Sequence, residues 1–459
     1  MRYSILLLLF VQLIFLVNYS LGSSDGCGTI SSITTNTVPI SGKIKIFVIF
    51  AQFKDDDSAS VEWPVNTFPN WANDFVSSNG TGPFAYNNLS QYFNSMSNGV
   101  FQVEGDVYNS LITTDENEDV YASIGEVNFE ILTRVAADPS VDFSQYDNLD
   151  GSSYGHDGRV DLIYIIYRNS TSTLFVPAGN SYTGIAHLEL SNTINTDGVS
   201  IVSGGTGLSS IGSGVQQREG LNGRDFCVYI AAHEMGHYLF GGGHIIGASN
   251  LALMTGGPAW NDSRGMCSWE RQHLNWINYS DISTDATVTL TDYMSTGSAY
   301  RILISGSGST EYFLAENRQH VNSHDYAADN GIYIYHVTNA NSFPPHITVD
   351  CADGNWNFNF NTSTHTIIRT APNPSGNNEL NYSHSYEGKT YSCYVPVYPS
   401  DAVWGDNYDA FDNTFNNVFS PVSNPRSTNG AGTILRPCTD YQFQTVYQAV
   451  SGDNQRQAF

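Results

Sequence analysis

One short segment, His233-Glu234-Met-Gly-His237, constrains the local fold and the chemistry of this chain more than any other feature. It lies in the largely apolar run 227–240, which favours a buried helix. On a helix, residues four positions apart share one face, so His233 and His237 can offer two imidazoles to one ion. Zinc takes neutral nitrogen ligands, and Glu234 beside them can accept a proton from an attacking water. The pattern predicts a catalytic zinc site; two unrelated histidines on a helix are the alternative.

A catalytic zinc site needs a third protein ligand. His244 follows Gly241-Gly-Gly243, a run that can adopt the positive φ angles of a tight turn and so bring His244 back to the metal. Glu270 is the other candidate, because some zinc peptidases take this ligand from a glutamate on a later helix. A structural ion pair or helix cap is the alternative role of Glu270. The sequence favours His244 as the third ligand and keeps Glu270 as the alternative.

A second group of acidic residues lies among glycine turns before an apolar run. Closely spaced carboxylates on turns are what Ca²⁺ requires, although the spacing here is not that of an EF-hand. A solvated acidic loop without metal is the alternative interpretation. The candidate calcium ligands are Asp147, Asp150, Asp157 and Asp161.

The chain begins with one Arg, an apolar run over residues 5–17 and small polar residues around Gly22, a pattern typical of a secretory signal peptide. The run is too short to span a bilayer, and no later stretch is apolar enough to do so. We therefore expect a secreted, extracellular protein with no membrane span. In that oxidising compartment the six cysteines predict up to three disulfides: Cys27, Cys227, Cys267, Cys351, Cys393 and Cys438. Cys27 as a thiolate ligand that keeps the zinc site latent is an alternative to its pairing.

N-linked glycans are a further expectation for a secreted chain. Asn-x-Ser/Thr triplets mark acceptor sites, which lie on surface loops where they are modified. Seven such asparagines follow the signal peptide: Asn79, Asn88, Asn169, Asn261, Asn278, Asn361 and Asn381.

Charge and composition narrow the functional class. Lys and Arg total 18 against 44 Asp and Glu, a formal net charge of −26. Such a field repels nucleic acid, which excludes nucleic-acid binding. Apolar residues make up 41% of the 459 residues, enough for a sizeable buried core.

Strand and helix patterns alternate in the first half of the chain, and short β-like runs dominate after residue 281. The fold class expected is α+β, with a mixed sheet and the His233–His237 helix in one domain and a β-rich region after it. The predicted divisions are 1–22 signal peptide, 23–40 short lead, 41–340 catalytic domain and 341–459 cysteine-containing C-terminal region. Predicted strands are 43–53, 100–108, 160–167, 287–290, 300–304, 312–315 and 331–337, and predicted helices are 84–99 and 126–137.

Several segments, in order, resemble the secreted zinc metallopeptidases of the immune-inhibitor-A type, relatives of the gametolysin-like metzincins. The similarity covers about residues 40–340 and includes the His233–His237 helix. The other matching segments are 44–53, 92–101, 157–167, 269–277, 312–318 and 331–337.

The resemblance implies a metzincin-like fold and zinc-dependent endopeptidase activity on protein or peptide substrates. It implies His233 and His237 as ligands, Glu234 as general base, and Met254 as a methionine turn beneath the metal; an ordinary core methionine is the alternative for Met254. The family commonly has an aspartate ligand where this chain has Gly243, so His244 is not carried over from it. An extracellular adhesive or glycan-binding protein with a structural zinc, and a hydrolase of cell-wall peptides, are the alternative functions.

Overall fold

The computed structural model describes most of the chain from residue 38 to residue 352 and shorter stretches after it. The predicted signal peptide and most of the lead lie outside the described residues. The described residues are 38–57, 62–77, 88–148, 156–169, 184–203, 223–241, 244–245, 248, 251–254, 265–282, 287–304, 309–325, 327, 329–341, 343–352, 358–361, 366–369, 384–386, 389–391, 409–413, 417–419 and 441–442.

The described part is a mixed arrangement of helices and several sheets, in agreement with the α+β expectation. The helices are α1 (Leu89–Met96), α2 (Ile124–Ala136), α3 (Gly223–Phe240), α4 (Ser268–His273) and α5 (Tyr293–Thr296). The first strands are β1 (Gly42–Gln52), β2 (Phe101–Val107), β3 (Ile112–Thr113), β4 (Ile163–Tyr167), β5 (Ile194–Thr196) and β6 (Val199–Ile201). The later strands are β7 (Ser280–Ile282), β8 (Ala299–Leu303), β9 (Glu311–Arg318), β10 (Gly331–Thr338), β11 (His346–Val349), β12 (Phe358–Asn361), β13 (Thr366–Arg369), β14 (His384–Tyr386), β15 (Lys389–Tyr391), β16 (Val418–Phe419) and β17 (Tyr441–Gln442).

Strand β1 is the centre of the first sheet and pairs with β2, β3 and β4. All three pairings are parallel. Val48 and Phe50 enter one hydrophobic core, whereas Phe47 and Ile49 enter a second core on the opposite face. Burial on both faces explains why β1 reads as a continuous apolar run.

Helices cover both faces of this sheet. Residues of α1 and α3 join the core on one face, and residues of α2 join the core on the other. Helix α1 begins at Asn88, whose side chain accepts a hydrogen bond from the Gln91 amide at 2.8 Å. It ends before Gly99, which adopts a positive φ of 79°. The described helix is therefore shorter than the predicted 84–99, part of which lies outside the described residues.

The second sheet has the order β11-β10-β9-β8-β7 and is antiparallel except for the β7–β8 pair. The predicted strand at 287–290 is wrong: those residues pair with no strand in the described part, because β7 occupies the edge beside β8. The strand β11 lies beyond the predicted domain boundary at 340 and pairs with β10. Farther on, the Phe411 amide donates to the Ile332 carbonyl at 2.8 Å, so C-terminal residues also pack on this sheet.

No helix in the described ranges combines the length and the apolar character needed to cross a membrane.

Candidate metal centre

Helix α3 carries three of the residues that the sequence predicts for the site. The residues from Cys227 to Phe240 are all buried, so this part of the helix has no exposed face. The Tyr164 hydroxyl on β4 donates to the Ala231 carbonyl at 2.7 Å, which attaches the helix to the first sheet. His233, Glu234 and His237 therefore project from a helix fixed inside the protein.

The structure brings His244 to the two helix histidines. The Nε2 atoms of His233 and His244 are 3.1 Å apart, and the ligand atoms of all three histidines lie within 4.8 Å of one another. Two nitrogens on a tetrahedral zinc, at Zn–N distances of about 2.0–2.1 Å, are separated by about 3.3 Å. Both ring nitrogens of His237 are buried and have no hydrogen-bond partner. The three imidazoles therefore fit a zinc ion.

The electrostatics of His237 also suit a metal ligand. Burial lowers its pKa well below the usual value, and the neighbouring His244 and His233 lower it further. The ring is therefore neutral near pH 7, and a neutral imidazole is the form that binds zinc.

The turn after the helix positions His244. Gly241 adopts a φ of 89°, and its amide donates to the His237 carbonyl at 3.1 Å. This left-handed conformation ends α3 at little cost for a glycine and reverses the chain. His244 follows three residues later and stacks on the His233 ring, with centroids 5.1 Å apart.

Glu270 is not one of the grouped ligands. Its buried carboxylate accepts hydrogen bonds from the backbone amides of Leu253 at 3.0 Å, Met254 at 2.7 Å and Cys267 at 2.8 Å. Burial raises the pKa of Glu270 to about 7, and these donors oppose that rise. Its position matches the cap that the sequence left as the alternative, with two additional bonds to the Met254 loop (residues 251–254).

The Met254 loop lies directly against helix α3. Met254 is fully buried, and a Cβ added to Gly236 would come within 2.1 Å of its sulfur. The Leu253 carbonyl lies 2.7 Å from His233 Nδ1. A carbonyl can only accept, so Nδ1 of His233 carries the proton and Nε2 is the unprotonated nitrogen, the form that can bind a metal.

Glu234 is buried beside the histidines. Its Oε2 lies 4.0 Å from His237 Nε2. On its other side lies the Gly184 segment (residues 184–186), where a Cβ on Gly184 would approach Glu234 Oε1 to 2.1 Å. The Tyr238 hydroxyl donates to the Ala186 carbonyl and holds this segment on the helix. Burial and the Glu234 charge raise the pKa of Tyr238, so its hydroxyl stays a donor.

Sequence reasoning missed the Gly184 segment. Gly184 lies about 50 residues before the motif, and no pattern around it points to a close approach. Only the fold places it against Glu234.

The predicted calcium ligands lie in a separate loop. Asp147 accepts hydrogen bonds from the backbone amides of Asp157 at 3.1 Å and Gly158 at 3.0 Å, and Asp161 accepts one from the Asn148 amide at 2.5 Å. Within the described ranges these carboxylates do not form a group able to hold an ion. Asp150 lies outside the described residues, so calcium at this loop stays a prediction.

The cysteine and glycan expectations change in part. Cys267 is a free, buried thiol at the start of α4, where burial raises its pKa, so at most two disulfides can form among the other five cysteines. Cys27, Cys393 and Cys438 lie outside the described residues. Asn88 is 2% exposed and its side-chain amide donates to the Ser77 carbonyl at 2.9 Å, which leaves no room for a glycan. Asn278, in contrast, is exposed.

No protein-family model matches this chain, and no curated protein matches its sequence.

Proposed function

We propose that this protein is a secreted zinc endopeptidase with a metzincin-like, immune-inhibitor-A-type catalytic domain. The observation that carries the proposal is the convergence of three imidazoles beside one buried glutamate. Secretion rests on the signal-peptide pattern of residues 1–22, and the family assignment rests on the ordered segments around the motif.

The number of ligands supports catalysis over a structural metal. A structural zinc site is closed by four protein ligands, whereas a catalytic site has three and an open position. Within the described part of the chain, the group has three members, His233, His237 and His244. This favours the peptidase over an adhesive or glycan-binding protein with a structural zinc.

A zinc ion held by His233, His237 and His244 would supply Lewis acidity, which would polarise the scissile carbonyl and acidify the attacking water. Glu234 accepts one proton from that water as its oxygen bonds to the carbonyl carbon. The C–N bond then breaks, and Glu234 returns the proton to the leaving amine nitrogen. No covalent enzyme intermediate forms. The Gly184 segment lies close against the Glu234 carboxylate and so limits its movement.

Two substitutions and one control test the proposal in the full chain. Glu234→Gln keeps the size of the side chain and removes the base, so we expect bound zinc near one per chain and casein hydrolysis reduced by at least about 100-fold. His244→Ala removes a ligand, so zinc and activity are both lost. His336→Ala is the control, because His336 bonds to Glu311 on the second sheet and should change neither.

The measurements are zinc content by mass spectrometry and casein hydrolysis with and without 1,10-phenanthroline. Hydrolysis that the chelator abolishes supports the proposal. Absence of zinc after loading, or hydrolysis by Glu234→Gln at the unsubstituted rate, would refute it.

A further inference from the structure

The peptide group between Leu253 and Met254 joins Glu270 to the first zinc ligand. Its N–H donates to Glu270 Oε1 at 2.7 Å, and its carbonyl faces His233 Nδ1 at 2.7 Å. Both contacts are short, and all four residues, Leu253, Met254, Glu270 and His233, are buried. A carboxylate on the N–H side of an amide polarises it and strengthens its carbonyl as an acceptor.

The same loop also contacts the chain beside the third ligand. The Ile245 amide donates to the Met254 carbonyl at 2.7 Å, and Ile245 directly follows His244. One residue, Met254, is therefore held by Glu270 through its N–H and holds the segment at His244 and Ile245 through its carbonyl. Displacement of Met254 would move two ligands together.

We propose that Glu270 is a positioning residue that, through the Leu253–Met254 peptide, fixes the tautomer of His233 and the placement of His244. This inference rests on the proposed zinc site. In metal centres a ligating histidine usually donates its second N–H to a carboxylate or a carbonyl, and such partners raise the basicity of the ligand. Here one peptide group stands between the carboxylate and the ring.

Helix capping alone does not account for a charged residue at this position. In a capping box the side chain at the third helical position has to accept only one bond, from the backbone amide of the N-cap, and glutamine can accept it as well as glutamate. Glu270 makes that bond to Cys267 and two more to the Met254 loop. A fully buried carboxylate is costly unless several donors face it, and the two loop amides supply them.

Glu270→Gln separates these roles. Its one carbonyl oxygen can occupy the Oε2 position and still accept from Leu253 and Cys267. The amide NH₂ then faces the Met254 N–H, donor against donor, and that bond is lost. Glu270→Ala removes all three bonds. Glu270→Gln therefore keeps the helix cap and disturbs only the bond to Met254, the contact that leads to His233 and His244.

Glu316→Gln is the matched control. Glu316 is also a fully buried carboxylate, and it accepts from the Ser268 amide at 2.9 Å at the start of the same helix. Its other partners, Arg318 and Tyr335, both bond to Oε1, and a glutamine oxygen at that position keeps both bonds and with them the contact of Arg318 with the Met254 loop. It should therefore lower thermal stability without changing the metal site.

The test uses the full chain and three readouts: zinc affinity by chelator competition, the visible absorption bands of the Co²⁺-loaded protein, and the melting temperature of the metal-free protein. We expect zinc binding about 10- to 100-fold weaker in Glu270→Ala, with a smaller loss in Glu270→Gln. The cobalt bands should shift in both variants. Glu316→Gln should bind zinc within about twofold of the unsubstituted protein and keep its cobalt bands.

Unchanged zinc affinity and cobalt bands in Glu270→Gln would overturn the inference, as would an equal loss of affinity in Glu316→Gln. If Glu270→Ala does not fold, Glu270→Gln alone decides. Because the readouts are metal affinity and geometry, they remain informative if the zinc-loaded protein hydrolyses nothing, an outcome that would refute only the peptidase proposal. An unsubstituted chain that binds neither metal would refute both.

Discussion

Gly184→Ala is a direct test of how Glu234 is held. The added methyl carbon would lie 2.1 Å from Glu234 Oε1 and 2.7 Å from the Ile230 side chain. The Gly184 segment cannot easily retreat, because the Ala186 carbonyl two residues later is bonded to the Tyr238 hydroxyl on the same helix. The carboxylate must therefore move.

The structure sets the size of that movement. Ordinary contact with a Cβ begins at 3.4 Å, so Oε1 has to withdraw by about 1.3 Å. A misplacement of about 1 Å in a catalytic group can reduce the rate about 100-fold, or about 2.7 kcal/mol of activation free energy. The histidine ligands are not displaced directly. We therefore expect kcat to fall about 100-fold while zinc affinity stays unchanged.

The assay measures kcat and KM on a peptide substrate, zinc content, and melting temperature. Gly105→Ala is the control, because its Cβ would also lie 2.1 Å from an oxygen, the Ile46 carbonyl, in the first sheet. Both substitutions overpack a filled position, which costs about 1–3 kcal/mol of folding free energy. Only Gly184→Ala should lower kcat.

Two results would refute this reasoning. If Gly184→Ala kept the unsubstituted kcat, contact with the Gly184 segment would not set the position of Glu234. If Gly105→Ala lost as much kcat as Gly184→Ala, the loss would follow from general destabilisation.

Three further substitutions test the surroundings of the site, the cap of α1 and an exposed glycan acceptor. Gly236→Ala places a Cβ 2.1 Å from the Met254 sulfur. We expect the free energy of unfolding, measured by chemical denaturation, to fall by about 1–3 kcal/mol, and zinc binding, measured by chelator competition, to weaken. Unchanged zinc affinity would contradict a supporting role for Met254. Asn88→Ala removes the cap of α1, so stability should fall by about 1 kcal/mol in the same denaturation assay, and the electrophoretic mobility of the secreted protein should not change. Asn278→Gln, at an exposed acceptor, should increase that mobility.

The parts of the fold that the sequence predicted well are those with a strong local period. Strand β1 and helix α2 each carry an apolar pattern long enough to identify the element within a few residues. The failure at 287–290 has a different origin. Its alternating pattern suits a strand, but a strand also needs a partner, and the position beside β8 is filled by β7. Pairing is a property of the whole chain that alternation does not encode.

The residues of the candidate site also differ in how well the sequence predicts their positions. His233, Glu234 and His237 lie on one helix, so the helical period alone places them together. His244 depends on the glycine turn, whose positive φ at Gly241 could be anticipated from residue type. The hydrogen bonds of Glu270 to Leu253 and Met254 could not be anticipated, because the sequence between these residues and Glu270 shows no helix or strand pattern.

The second sheet completes the support of the metal centre. Arg318, at the end of β9, donates to the Leu251 carbonyl at 2.9 Å and is paired with Glu316 at 2.7 Å. Leu251 belongs to the Met254 loop, which contacts His233. Arg318 therefore ties the Met254 loop to the second sheet. The candidate site is supported by residues as far along the chain as β9, although the motif that points to its chemistry lies within residues 233–244.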